Sequence, residues 1–323
     1  MLWAWPTAQR HFDDDLKRYR NVKVPLNPVL IKASQRAMKL LYAMERDDDR
    51  IHVDRTRIPI TGTTCRLDEG SHIDALVYEP KRNDACPSSC LLFIHGGGFV
   101  FNAAPHHFKL ARRLSRELGA KVVMADYRLA PGHTFPSAHN DCLDVYKWLH
   151  SNAKALKIDP NGIIVVGDSA GGNIAAALSR MAYESGLPAP KAQMLIYPVL
   201  DRRMQTKSYA TFTDTPMCNS KDMAKYFKLY AGDAMSIEGS LVPYISPLET
   251  GSFDGTPPTY VEVAQLDCLH DEGVRYAQAL KDAGIPVELT EVKDAMHGYD
   301  IALGKPFMED VIAYRIAFLR RFI

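Results

Sequence analysis

Residues 163–180 read IIVVGDSAGGNIAAALSR. Four branched apolar residues have the length and composition of a buried strand, and small apolar residues then recur at helical spacing from Asn173 onward. Between the two lies Gly167-Asp168-Ser169-Ala170-Gly171, a G-x-S-x-G turn joining strand to helix. Such a turn holds its serine in strained backbone geometry, and a side chain at either flanking glycine would collide with the strand or helix. The hydroxyl is thereby exposed above a helix N-terminus, whose partial positive charge favours a developing anion. A plainer reading makes Ser169 a helix cap among small packing residues. The flanking sequence has to decide between them.

Working outward, the same alternation repeats. CLLFIHGGG reads as a strand ending in glycines, HHFKLARRLSRELG as an amphipathic helix closed by Gly119, and AKVVMADY as a strand. HNDCLDVYKWLHSNAKAL reads as a helix. After the central turn come the strand AQMLIYP, the strand TYVEVAQ, the helix DEGVRYAQALKDAG, the strand VELTEV and a last helix, FMEDVIAYRIAFLRRFI. IHVDRTRIPI and IDALVYEP are earlier strands separated by a polar turn. Strands alternating with helices predict an α/β protein with a doubly wound, mostly parallel sheet. Two segments break the rhythm. Residues 1–50 are helix-forming, with apolar Leu30, Ala33, Ala37, Leu40, Leu41 and Met44 at helical spacing, and 201–242 are polar and methionine-rich with one helical piece. The expected organisation is a helical cap from 1–50 and 201–242 over a catalytic core from 51–200 and 243–323.

Composition narrows the classes of function. Hydrophobic residues make up 46% and charged residues 24%, and the net charge is +1. That balance offers no electrostatic reason to expect nucleic acid or an anionic membrane as the main partner. The first twenty residues lack the basic and apolar regions of a secretory signal, and no apolar run reaches the length of a membrane span. The six cysteines are scattered, and only Cys86 and Cys90 are close, with no second pair at metal-ligand spacing. A reduced, cytoplasmic protein is the expectation, with no metal.

In open α/β sheets, ligands bind beyond the carboxyl ends of the strands, so the loops that follow strands gather on one rim. His95-Gly96-Gly97-Gly98-Phe99 is such a loop. Successive glycines let backbone N–H groups point into a cavity, as an oxyanion requires. The loop lacks the endings of a P-loop or a dinucleotide site. A serine needs a histidine to take its proton and a carboxylate to orient that histidine. Among eleven histidines, His297 follows the last predicted strand and comes after the serine, the chain order this turn normally uses. His95 is read as a brace for the glycine loop, and His106 and His107 as candidate pocket liners. For the acid, Asp267 follows the strand TYVEVAQ. Asp271 is the near rival, read instead as a helix cap, and Asp294 shares the histidine's own loop.

Taken together, HGGGF (95–99), DYRLAP (126–131), FPSAHND (135–141), GDSAGGN (167–173), LIYPVLD (195–201), DCLHDEG (267–273) and HGY (297–299) stand in an order that resembles the hormone-sensitive-lipase-like branch of the α/β-hydrolase esterases. The resemblance covers roughly residues 75–320. It implies an α/β-hydrolase fold, Ser169 as nucleophile, Asp267 as acid and His297 as base, with the N–H groups of Gly97, Gly98 and Ala170 as oxyanion donors. It further implies a carboxylesterase for short- to medium-chain acyl esters, a small-molecule ester as partner and no cofactor. Phe99, Asp168 and Tyr197 are expected to contact substrate. Trp3, Trp5, Phe12, Tyr209, Phe212, Met217, Met223 and Phe227 are either cap core or the wall of an acyl pocket. Two positions depart from the family pattern: Gly132 stands where a glutamate is usual, and Cys268 where a proline is usual. An amidase or acyltransferase with the same triad, and a non-catalytic receptor on the same fold, are the alternatives. Homodimer formation stays open.

Overall fold

The apolar runs join into one eight-stranded sheet in the computed structural model, which describes residues 11–24, 26–61, 71–81 and 88–323. The strands are β1 (Ile51–Pro59), β2 (His72–Pro80), β3 (Ser88–Ile94), β4 (Lys121–Asp126), β5 (Ile158–Asp168), β6 (Ala192–Ile196), β7 (Thr259–Leu266) and β8 (Val287–Met296). Their spatial order is β1-β2-β4-β3-β5-β6-β7-β8. β2 runs antiparallel to both of its neighbours, and the remaining pairs are parallel. β5 shows why its sequence is continuously apolar. Ile163 and Val165 enter the core on one face of the sheet, Ile164 and Val166 the core on the other. A strand covered on both faces has no solvent side for polar residues.

The helices are α1 (Pro28–Met44), α2 (Pro105–Leu118), α3 (Ser137–Ser151), α4 (Ala153–Leu156), α5 (Ala170–Glu184), α6 (Lys207–Thr211), α7 (Ser220–Ala231), α8 (Val242–Ile245), α9 (His270–Asp282) and α10 (Pro306–Leu319). Residues of α3, α5 and α9 fill the core on one face of the sheet, and residues of α2 and α10 fill the other. The expected fold class, α/β with a doubly wound and mostly parallel sheet, is the observed one. Its details differ in places. The helix expected over 139–156 breaks at Asn152, and its second piece ends at Lys157 in the left-handed region, with φ 53°. α5 starts at Ala170 rather than Asn173, because the chain turns sharply at Ser169 and is helical at once. α6 was not evident in the sequence; it is short, and the Thr206 hydroxyl caps it by accepting from the Tyr209 N–H.

The segments outside the alternation meet above the rim. The side chain of Asn27 caps α1, and Gln35 of the same helix donates to the carbonyls of Val100 and Ala130 in the core. The Met217 N–H donates to the Val22 carbonyl, joining the N-terminal segment to the 201–242 insertion. Tyr209, Phe212, Met223 and Phe227 are buried in the core cluster, and Phe12 packs against it half-buried. Trp3, Trp5, Cys65 and Cys86 lie outside the described residues. The helical spacing read over 28–44 is met by α1, in which Ile31 and Tyr42 are the buried positions and the apolar series Leu30, Ala33, Ala37, Leu40, Leu41 and Met44 is exposed.

Candidate active site

Ser169 follows the end of β5 with φ 54° and ψ −119°, a conformation unfavourable for any residue with a side chain. The turn is held from both sides: the Ser169 N–H donates to the Ile196 carbonyl, and its own carbonyl accepts from Asn173 and Val199. Gly171 explains the small residue that follows, since a Cβ there would stand 2.0 Å from the Ile94 carbonyl oxygen. The Ser169 Oγ lies 2.8 Å from His297 Nε2, and His297 Nδ1 lies 2.7 Å from Asp267 Oδ2. With Nδ1 donating to the carboxylate, Nε2 is left to accept from the serine. His297 comes from the loop after β8 and Asp267 from the loop after β7, so neighbouring parallel strands deliver both. All three side chains are buried. Burial opposes charging of His297, yet the Asp267 carboxylate outweighs it and raises the imidazole from the usual 6.5 to about 9.

The glycine loop after β3 faces the same point. Among the described residues, the N–H groups of Gly97, Gly98 and Ala170 have no protein acceptor. Gly98 has φ +62°, and a Cβ on it would stand 2.4 Å from the ring of Tyr226 on α7. The loop is braced from beneath by His95, stacked on Tyr127 at 4.4 Å and bonded to the Gly96 carbonyl. Asp168 braces it from the side: one oxygen accepts from the Gly96 N–H at 2.9 Å, the other lies 3.2 Å from His107 Nε2. His107 Nδ1 accepts from the Ala104 N–H, so Nε2 carries the proton that Asp168 receives. Although burial opposes it, the histidine holds the Asp168 carboxyl down near 2. Ser169, His297, Gly97 and Gly98 open onto one cavity of about 360 Å³, and Asp267 stands behind His297, out of the lining.

A sequence profile described as the alpha/beta hydrolase fold matches residues 91–301 of the chain. The chain belongs to the α/β-hydrolase family. An ethyl acetate hydrolase of Pseudomonas putida is 32% identical over 284 residues, spanning 84% of this chain and 88% of that protein. The carboxylesterase NlhH of Mycobacterium tuberculosis is 32% identical over 260 residues, spanning 80% and 81%. Among solved structures, a bacterial heroin esterase superposes with a TM-score of 0.85 at 31% identity, covering 97% of this chain and 98% of that one. The hydrolase is thus a member of the carboxylic ester hydrolases of the hormone-sensitive-lipase-like branch, as its motif order implied.

Several expected roles change once the hydrolase is seen folded. Phe99, expected at the substrate, is fully buried and stacked on Tyr230 at 4.1 Å. Its positive φ of 62° turns the ring away from the cavity and into the core. Asp168 does border the cavity, but both its oxygens are engaged, one with the Gly96 N–H of the glycine loop and the other with His107 of α2. Tyr197 also borders it, with its ring edge-on to His297 at 4.9 Å and its hydroxyl donating to Asp300. Asp271 does not cap α9, whose N-cap is Leu269; its carboxylate accepts from the Ser208 N–H and ties the insertion to the core. Asp294 is half-exposed and pairs with His11.

Some contributors had no signal in the sequence. Arg315 of α10 is fully buried and donates to Glu262 and Asp300 at 2.6 Å each. Asp300 in turn receives the Tyr197 hydroxyl, which places the buried cation three contacts from His297, through Asp300 and Tyr197. Tyr226, covering the oxyanion loop, was one aromatic among many in the insertion. Where a glutamate is usual the chain has Gly132, and the adjoining loop is held by the Arg128–Asp141 pair at 2.6 Å. Cys268 is buried, and its carbonyl accepts from the Ser208 hydroxyl.

Proposed function

We propose that this hydrolase is a serine carboxylesterase cleaving short- to medium-chain acyl esters through an acyl-enzyme. The observation that carries the reading is the Ser169–His297–Asp267 relay beside three unpaired N–H groups at one cavity. His297 Nε2 takes the Ser169 proton as Oγ attacks the ester carbonyl. The oxyanion is met by the N–H groups of Gly97, Gly98 and Ala170. As the tetrahedral intermediate collapses, the C–O bond breaks and the alcohol leaves with the proton from His297. Water then gives a proton to His297, attacks the acyl-enzyme and releases the acid, restoring the serine. Asp267 holds the imidazole in the tautomer that both steps need. A cavity of about 360 Å³ with a mostly apolar wall supports small acyl and alcohol groups, and a relative named for ethyl acetate supports the same size class. The free thiols of Cys90, Cys142, Cys218 and Cys268 support a cytoplasmic setting.

The test is turnover of p-nitrophenyl esters from acetate to palmitate. Ser169→Ala should abolish hydrolysis and fluorophosphonate labelling while leaving circular dichroism unchanged; full activity in that variant would sink the nucleophile assignment. Rates should fall steeply toward the long acyl chains, and palmitate cleaved as fast as butyrate overturns the size class.

A further inference from the structure

We propose that α1 is an interfacial helix that seats the cavity mouth on an anionic lipid surface. The helix has an apolar face that nothing in the described structure covers. Val29 is 74% exposed, Leu40 67% and Met44 66%, with Leu30 and Leu41 also exposed. Helical spacing places Val29, Leu30, Ala33, Ala37, Leu40, Leu41 and Met44 on one continuous arc opposite the buried Ile31 and Tyr42. So wide an unpartnered apolar arc is unusual on a soluble surface.

What borders the arc identifies its partner. On one side stand Lys32, Arg36 and Lys39, and residues 28–44 contain no acid. Lys39 reaches Asp126 at 3.9 Å, while among the described residues Lys32 and Arg36 have no ion-pair partner. Of the acids just beyond the helix, Glu45 and Asp48 hold Arg112 and Asp47 holds His52 and Lys81, which leaves the exposed Asp49 against the nearby cations of the row. At the far end, Leu41 and Met44 share a shallow groove with Phe108 and the exposed Lys109 of α2. An apolar face bordered by cations is the pattern of a helix lying in a lipid interface, apolar side down among acyl chains and cations among anionic headgroups. A second copy of the chain laid on this face would bring like charges together.

The other border of the arc is the cavity. Leu30, Ser34 and Met38 of the same helix line it. A helix seated on lipid therefore turns the opening toward esters dissolved in the bilayer, a direct path for apolar substrates. No described helix is long and apolar enough to cross a membrane, which fits a helix that lies on the surface. The net charge of +1 averages over the whole chain and hides this local row of cations.

The experiment is co-sedimentation of the full chain with phosphatidylcholine vesicles, with and without phosphatidylglycerol. Binding is expected with phosphatidylglycerol and should weaken with salt. Lys32→Gln with Arg36→Gln should lower partitioning roughly thirtyfold. Leu40→Ser with Met44→Ser should abolish it. Hydrolysis of soluble p-nitrophenyl acetate should be unchanged in both variants. Ser169→Ala should bind vesicles like the parent, so the lipid reading and the esterase reading fail separately. Three outcomes overturn the proposal: no vesicle binding by the full chain; binding only after removal of residues 1–10, which makes that segment the occupant; or a dimer that Leu40→Ser with Met44→Ser converts to monomer, which makes a second copy the occupant.

Discussion

In its proposed role as base His297 works only when neutral, and its surroundings favour the charged form. Asp267, 2.7 Å away, raises its pKa above the ordinary 6.5 despite burial. A raised pKa means a larger protonated, inactive fraction at neutral pH, so activity should climb with pH along an acid limb lying above 6.5. Asp267→Asn should move that limb down and cut kcat about 10⁴-fold, because the amide no longer fixes the tautomer. A kcat–pH profile of both proteins checks this, and an unshifted limb would refute the coupling. Ser169, Asp267 and His297 could be singled out in the sequence because each follows a predicted strand and they stand in the order serine, acid, histidine, and the fold brings them within hydrogen-bonding distance. The side-chain roles of Phe99 and Asp168 could not be read there. Proximity to the nucleophile in sequence says nothing about which way a positive-φ residue turns its ring, or that a carboxylate is already committed to a backbone N–H.

At the scale of elements, the oxyanion loop depends on a helix far away in the chain. α7 lays Tyr226 over Gly98, so the loop has a floor in His95, a side wall in Asp168 and a ceiling in the insertion. Gly98→Ala places a methyl group where the tyrosine ring lies and forces a left-handed residue to carry a Cβ. We expect a loss on the order of 10²–10³ in kcat with little change in KM, the effect of displacing an oxyanion donor. Adding Tyr226→Ala should recover part of the loss by removing the clash, although the left-handed cost of about 1–2 kcal/mol persists. Steady-state kinetics of the single and double variants decide whether the ceiling matters. The alternation of strands and helices was readable because period and length change together. The partnership of α7 with the glycine loop was not, since the insertion carries no periodic trace of what it covers.

Across the whole molecule, the last helix locks the rim. Arg315 on α10 ties Glu262 in β7 to Asp300 just past His297, and the Tyr299 hydroxyl also donates to Glu262. These charges lie in the core, so removing one leaves the others without compensation. Arg315→Met should cost about 3–5 kcal/mol in stability, read as a lower denaturant midpoint in urea unfolding. A midpoint within experimental error of the parent would mean that the carboxylates find other partners. The same clamp has a consequence for how the protein comes into being. On the ribosome, Ser169, Asp267 and His297 are all polymerised before Arg315, and a domain assembles as a unit only once its parts have emerged. A nascent chain therefore holds Ser169, Asp267 and His297 before it holds the cation that ties β7 to the segment after His297. The cation arrives only once α10 has been made, and a translation product stopped short of α10 would carry Ser169 while Asp300, just past His297, lacked its buried partner.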